Sequence, residues 1–233
     1  MYASLSHSYP PLNQLLKLHR KDTKAGDPLV SEMEERFIVF TGRPNSGKSS
    51  IIRKITGLNT RSGKRPGTTR RVSIYTLSRD LSLVDMPGYG RITGASINAT
   101  SQVKDEILDF LESQGDAIDL AVHVLDLSTF TEVSERMERK GIIPIDLEMI
   151  QYIEESTGEM PVIAANKIDK IRGDPALLLS EVKDRIGEGS PSESGCQIFP
   201  VSARTGEGLG LLKDAIHRKL AGKGFRTPFK RLT

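Results

Sequence analysis

Residues 37–50 read FIVFTGRPNSGKSS, a four-residue apolar run followed by a glycine-rich turn and then by residues suited to a helix. A short apolar run before such a turn is typical of a buried β-strand. The turn satisfies the pattern GxxxxGK[ST] in the strand–turn–helix context that its chemistry requires. Its glycines let the backbone approach phosphate groups closely, and N–H groups at the helix N-terminus point at the anion. The stretch predicts a phosphate-binding loop built from Gly42, Arg43, Pro44, Asn45, Ser46, Gly47, Lys48 and Ser49.

Two residues of this loop carry charge and metal chemistry. Lys48 would reach the β- and γ-phosphates, and the Ser49 hydroxyl would coordinate Mg²⁺. The motif therefore specifies a nucleoside triphosphate, but it does not choose the base.

Strands and helices alternate along the rest of the chain. Apolar runs predict further strands over residues 72–77, 81–85, 120–127, 162–165 and 197–201, and helical periodicity predicts helices over 47–57, 95–114, 147–155, 176–186 and 209–220. This alternation favours right-handed βαβ crossovers and a mostly parallel sheet with helices on both faces. The link between 72–77 and 81–85 is too short for a crossover, which predicts an antiparallel hairpin at one edge. We expect a six-stranded, three-layer α/β domain of the P-loop NTPase kind.

The tetrapeptide Asp85-Met86-Pro87-Gly88 follows a predicted strand. Asp85 there could hold Mg²⁺ through a water molecule, and the Gly88 N–H could meet the γ-phosphate. As a four-residue pattern it is weak, because an Asp that starts a turn has the same appearance.

A second weak motif lies in the basic loop before the strand predicted at 72–77. Thr69 in this loop could coordinate Mg²⁺ while triphosphate is bound and release it after hydrolysis. The nucleotide contacts expected from the loop are Gly67, Thr68, Thr69, Arg70 and Arg71.

The tetrapeptide Asn166-Lys167-Ile168-Asp169 indicates guanine. Guanine presents N1–H and N2–H₂ side by side, which the Asp169 carboxylate can accept together, whereas adenine would leave that carboxylate unpaired. Asn166 would bind the other edge of the base and brace the phosphate loop, and the aliphatic stem of Lys167 would cover the ring.

The tripeptide Ser202-Ala203-Arg204 would supply a backbone N–H to guanine O6 and a hydroxyl that steadies Asp169. With it, five motifs occur in order, each at the end of a predicted strand or in the adjoining loop. Ligands of open α/β sheets bind at that edge, so chance is a poor explanation for the set.

Charge is segregated along the 233 residues although the net charge is only +3. Residues 49–79 contain eight basic side chains and no acid, residues 217–233 contain six and no acid, and residues 132–159 contain eight acids against three bases. Acid-free stretches beside phosphate chemistry favour an anionic partner, although charge runs are usually solvated faces. A single cysteine, Cys196, excludes a disulfide framework and fits a reducing compartment, and no stretch suits a membrane span. We expect a cytoplasmic monomer.

The five motifs are those of TRAFAC-class GTPases, and the chain resembles the EngB (YihA/YsxC) family from about residue 37 to 220. The resemblance lies in LVDMPGYG (83–90), GRPNSGKSS (42–50) and PGTTR (66–70), while GIIPID (141–146) resembles the archaeal branch. It implies a GTPase that binds the large ribosomal subunit or its precursor and assists late assembly, with a link to cell division and septum formation. We divide the chain into an N-terminal extension (1–35), with a short helix possible around 12–18, an EngB-type G domain (36–221) and a basic tail (222–233).

The chain departs from Ras-like switches after Gly88, where Tyr89 stands in place of the Gln that orients the attacking water. Intrinsic hydrolysis should therefore be slow, with Lys48, Thr69 and Asn45 as the candidate catalytic residues. Related GTPases with a similar loop use the residue equivalent to Asn45 to hold K⁺, and the alternative is that Asn45 only shapes the loop. The ribosome is a second candidate activator.

Two other functions remain open. The protein could be a regulatory GTPase that docks a protein partner on the acidic 132–159 segment. A tRNA- or rRNA-modification GTPase ranks lower, because it needs an extra domain for which we see no room after Leu220.

Overall fold

The computed structural model describes residues 35–60, 72–90, 97–189, 195–226 and 229. The predicted extension up to residue 34, with its possible helix at 12–18, and half of the tail predicted at 222–233 lie outside these residues. No helix in the described ranges is long and apolar enough to cross a bilayer.

Six strands form one sheet in the described residues. They are β1 (Arg36–Thr41), β2 (Ser73–Thr76), β3 (Leu81–Asp85), β4 (Ile118–Asp126), β5 (Val162–Asn166) and β6 (Ile198–Val201). Their order is β2-β3-β1-β4-β5-β6. Neighbours pair in parallel except β2, which pairs antiparallel with β3 at the edge. The predicted mostly parallel sheet with one antiparallel edge strand is confirmed.

Helices connect the strands, as βαβ crossovers require. They are α1 (Lys48–Thr56), α2 (Ile97–Gln114), α3 (Phe130–Glu138), α4 (Ile145–Thr157), α5 (Pro175–Gly189) and α6 (Leu209–Gly222). Five correspond to predicted helices, with ends that differ by a few residues. Helix α3 was not predicted: its apolar repeat (Phe130, Val133, Met137) covers only nine residues and lies in a stretch that charge alone marked as solvated.

Two apolar clusters hold helices on opposite faces of the sheet. Ile52 of α1 and Ile216 of α6 pack with strand residues such as Val122 in one cluster. Phe130 of α3, Ile150 of α4 and Val182 of α5 pack with Ile163 of β5 in the other. The predicted three-layer arrangement is therefore present.

The chain order reverses at β1, which has β3 on one side and β4 on the other. In open α/β sheets such a switch point leaves a crevice at the carboxyl ends of the strands, where ligands bind. The first predicted motif follows β1, the Asp85 motif ends β3, and the Asn166 motif ends β5. The topology thus brings three of the motifs together at the carboxyl ends of the parallel strands.

Candidate functional site

The phosphate loop connects β1 to α1 and depends on two glycines. Gly42 has φ +149° and Gly47 has φ +97°. A Cβ at Gly42 would lie 2.3 Å from the Val124 carbonyl oxygen, and one at Gly47 would lie 2.1 Å from Asn166 Nδ2. Only glycine fits these two positions, because any side chain would strike backbone or the amide that braces the loop.

Lys48, Ser49 and Asp85 meet at the start of α1. Lys48 Nζ is ion-paired with Asp85, and the Ser49 hydroxyl donates a hydrogen bond to Asp85 Oδ2 at 2.9 Å. Burial lowers the pKa of Lys48, and the charge and hydrogen bond of Asp85 oppose that shift. Because Lys48 is only 5% exposed and Asp85 1%, the pair is shielded from solvent. The arrangement places the Lys48 ammonium beside the loop, together with a hydroxyl and a carboxylate, which are oxygen groups of the kind that bind Mg²⁺.

The segment after β3 lies against the phosphate loop. The Met86 N–H donates to the Phe40 carbonyl at 3.0 Å, which extends the β1–β3 pairing by one bond. A Cβ on Gly88 would lie 2.8 Å from both Cα and N of Pro44. Gly88 thus packs backbone to backbone against Pro44 of the phosphate loop. Because no side chain separates the two segments, a shift of one displaces the other.

Asn166, at the end of β5, ties the phosphate loop to the loop after β6. Its Nδ2 donates to the Ser46 carbonyl at 2.6 Å, and its Oδ1 accepts from the Ala203 N–H at 2.9 Å. The side chain is 1% exposed. The Ala203 N–H is therefore engaged by Asn166 in this arrangement.

Asp169 is held by the predicted Ser202 hydroxyl and by Arg204, a contact that the sequence did not predict. The Ser202 hydroxyl donates to Oδ1 at 2.5 Å and Arg204 Nε donates to Oδ2 at 2.7 Å. These hydrogen bonds, from Ser202 first and Arg204 second, lower the pKa of Asp169. Since Arg204 is 73% exposed, its ion pair is weakly held and can open to a ligand.

Lys167 has a partner that the sequence reasoning missed. Its Nζ lies 2.5 Å from Asp126 Oδ2 at the end of β4, and its backbone has φ +71°. Asp126 also accepts hydrogen bonds from Ser128 at the start of the next turn. A signal was present, since Asp126 lies at the end of the strand predicted at 120–127, the same sheet edge as the other motifs. Ile168 begins the 3₁₀ turn Ile168–Lys170 that carries Asp169.

Part of the predicted site lies outside the described residues: Gly67, Thr68, Thr69, Arg70 and Arg71. In the parts of the chain that the structure describes, no group of three or more His, Cys, Asp or Glu side chains is arranged to hold a metal ion. The site thus comprises the phosphate loop, the Asp85–Gly88 segment, the Asn166–Asp169 loop and the Ser202 loop.

These features define a P-loop GTPase. Residues 37–167 match the family model described as 50S ribosome-binding GTPase. The probable GTP-binding protein EngB of Methanopyrus kandleri is 42% identical over 195 residues, covering 81% of this chain and 94% of that protein. The corresponding protein of Archaeoglobus fulgidus is 33% identical over 201 residues, covering 83% and 100%.

The fold gives the same result. The crystal structure of a probable GTP-binding protein engB superposes with a TM-score of 0.69 at 31% identity, covering 80% of this chain and 99% of that one. The chain belongs to the EngB family of GTP-binding proteins, and its enzymatic class is GTP hydrolase. The resemblance seen in the sequence is confirmed.

Proposed function

We propose that this EngB-family GTPase is a nucleotide-gated factor in assembly of the large ribosomal subunit, acting as a monomer in the cytoplasm. The matching family model carries the description 50S ribosome-binding GTPase, which supports the subunit as partner. The proposal includes the link to cell division and septum formation that the family resemblance implies.

The observation that carries the proposal is the placement of the basic side chains. Ile52 of α1 and Ile216 of α6 belong to one apolar cluster, so both helices cover the same sheet face. Arg53 and Lys54 on α1 are exposed, as is Arg218 on α6. The two acid-free stretches of the sequence thus contribute to one helical layer, and a basic layer is suited to RNA phosphates.

Co-sedimentation with large subunits tests this role. We expect binding that is stronger with a non-hydrolysable GTP analogue than with GDP and that falls steeply with salt, because phosphate contacts release counterions. The double variant Arg218→Ala/Lys219→Ala on α6 should weaken binding. The matched control is Arg139→Ala/Lys140→Ala beyond α3, which removes the same charge from the acidic segment. Equal binding in both nucleotide states, or equal loss in both variants, would contradict the proposal.

The alternative is a regulatory GTPase that docks a protein partner on the 132–159 segment. This segment is less uniformly solvated than its charge suggested, because Asp146 and Glu154 are buried. Under this alternative, the α6 variant would keep full activity in cells, whereas Glu132→Gln/Glu135→Gln, which removes two exposed acids of the segment, would lose it.

The nucleotide contacts are part of the same proposal. The Asp169 carboxylate would accept hydrogen bonds from guanine N1–H and N2–H₂ once the Arg204 side chain has moved off it. Asn166 would hold the Asn166–Asp169 loop against the phosphate loop. Lys48 would exchange Asp85 for phosphate oxygens, which explains how a buried ammonium is stabilised in both arrangements.

Mg²⁺ fits the residues beside Lys48. Ser49 Oγ and Asp85 Oδ2 are neighbours at 2.9 Å, and Mg²⁺ is held through hydroxyl, carboxylate, water and substrate phosphate oxygens rather than by a full protein cage. We assign Ser49 and Thr69 as direct ligands and Asp85 as a ligand through water. When bound, the ion would offset charge on the phosphates.

K⁺ use by Asn45 is a separate proposal. Asn45 adopts φ +64°, a conformation that Asn tolerates better than most residues, so a loop-shaping role alone also accounts for it. GTP turnover measured in KCl and NaCl at equal ionic strength decides between the two. Faster turnover in KCl supports a bound ion, and equal rates leave Asn45 with the shaping role.

A further inference from the structure

A buried polar cluster lies next to the phosphate loop, and Arg43 is its only member among the predicted nucleotide-binding residues. Arg43, the second residue of the loop, has Nε 2.7 Å from Asp146 Oδ2 in the first turn of α4. The other carboxylate oxygen lies 3.3 Å from His123 Nε2 on β4, and His123 Nδ1 lies 2.9 Å from Thr41 Oγ1 at the end of β1. Asp146 is 3% exposed. One carboxylate thus joins the phosphate loop to β4 and α4.

Tyr89 faces the same cluster from the segment that follows Gly88. It is 3% exposed, and its ring centroid lies 6.3 Å from that of His123. Burial first, and the negative charge of Asp146 second, raise the pKa of Tyr89 well above its usual value. The phenol therefore stays protonated and remains a hydrogen-bond donor.

Three donor atoms in this cluster are not satisfied within the described residues. Among the described residues, neither Tyr89 Oη nor Arg43 Nη2 has a hydrogen-bond partner, although both are buried. The Arg43 Nε–H also fails to point at Asp146 despite the short separation of the charged atoms. Buried polar groups are nearly always paired, and the Asp146 carboxylate beside these donors has spare lone pairs that could accept from them in a second arrangement of the cluster.

We propose that Asp146 is a positioning residue for GTP hydrolysis, acting on the phosphate loop through Arg43 and on the segment after Gly88 through Tyr89. In the second arrangement, Tyr89 Oη donates to Asp146 and the two segments shift together. Gly88 and Pro44 already touch backbone to backbone, so movement at Tyr89 reaches the loop directly. The carboxylate thereby couples the γ-phosphate side of the site to the loop that binds all the phosphates. The inference rests on the GTPase activity of the family and is independent of the ribosomal role.

The test compares GDP with a non-hydrolysable GTP analogue in Asp146→Asn. The loop contacts phosphates common to both nucleotides, whereas the segment after Gly88 responds to the γ-phosphate, so coupling should weaken the analogue more. We expect the ratio of the two dissociation constants to shift by about 10-fold, within the usual span of coupling between sites. The single-turnover rate of GTP hydrolysis should fall as well.

Asp119→Asn is the matched control. Asp119 is also a buried carboxylate paired with an arginine, with Oδ1 2.7 Å from Arg36 Nη2. It lies at the amino end of β4, whereas the candidate site lies at the carboxyl ends of the strands. Both variants should lose thermal stability, yet only Asp146→Asn should change the ratio of dissociation constants. A ratio unchanged in Asp146→Asn, or changed equally in both variants, overturns the proposal.

Tyr89→Phe supplies a second test, with the same ratio of dissociation constants, that does not depend on folding of the Asp146 variant. It removes an unpartnered hydroxyl and keeps the ring, so the protein should fold at least as stably. We expect the analogue to weaken about 5-fold relative to GDP, and the double variant with Asp146→Asn to show no further shift. An unchanged ratio in Tyr89→Phe, or additive shifts in the double variant, overturns the coupling.

Discussion

Replacing Asn166 with alanine is the sharpest test of how the site is held together. Asn166 satisfies the Ser46 carbonyl and the Ala203 N–H, at 2.6 Å and 2.9 Å. Alanine would leave both backbone groups unpaired at a position only 1% exposed. A buried polar group that loses its partner costs about 1–3 kcal/mol, so the two together cost roughly 2–6 kcal/mol, less whatever an entering water recovers.

Thermal unfolding in nucleotide-free buffer measures this loss. For chains of roughly 150–250 residues, 1 kcal/mol corresponds to about 2–4 °C in Tm, so a central loss of about 3 kcal/mol lowers the Tm by about 6–12 °C. Asn166→Asp should give no rescue, since its carboxylate can still accept from the Ala203 N–H but cannot donate to the Ser46 carbonyl and would bury a charge against that oxygen.

The matched control is Gln114→Ala. Gln114 also bonds a backbone carbonyl through its amide, with Nε2 2.9 Å from the Ser113 oxygen, but this hydrogen bond is exposed to solvent at the end of α2. Its removal should change stability by less than about 0.5 kcal/mol. If Asn166→Ala unfolds at the same temperature as Gln114→Ala, the reasoning about buried partners is wrong.

Three further changes have defined outcomes. Asp169→Asn should move nucleotide preference from GTP toward XTP in competition binding, because the amide then matches the xanthine carbonyl, and unchanged preference would refute the assignment of the base site. Gly88→Ala forces a Cβ to 2.8 Å from Pro44 backbone atoms and should destabilise by about 1–3 kcal/mol in thermal melts, whereas Gly187→Ala, with nothing within 4 Å, should be neutral or stabilising. Burial raises the pKa of the Cys196 thiol to about 11 from 9.0, so alkylation by iodoacetamide at pH 8 should be about 100-fold slower than in urea; equal rates would show that the thiol is not shielded.

The sequence predicted the sheet well because apolar runs and turn motifs agree along the chain. The four-residue run at 37–40 lies within β1, and the short link after residue 77 did form the antiparallel edge hairpin. Both inferences depend on local pattern alone, with no need to know what packs where.

The buried carboxylates were harder to predict, for one physical reason. A charged residue in an acidic stretch is usually solvated, and periodicity does not reveal which member of the stretch turns inward. Asp146 is buried because Arg43, more than a hundred residues earlier, reaches it. Only the folded chain brings those two residues together.

Much the same holds for the candidate site. The positions of Lys48 at the start of α1, Asn166 at the end of β5 and Asp169 in the turn that follows were predictable from motif and topology. The partners Asp126 and Arg204 depend on side-chain geometry across neighbouring loops, which the motifs do not encode.

The tie made by Asn166 also has a consequence for how the protein is made. Its bond to Ser46 spans 120 residues of sequence, and its bond to Ala203 spans a further 37. Contacts between such distant segments form late, since long stretches of chain must first be ordered. During synthesis the phosphate loop emerges early but lacks its brace until β5 and the segment after β6 have left the ribosome. Full nucleotide affinity should therefore arise only when nearly the whole domain has been translated, and GTP or GDP in the cell would stabilise the last step of folding.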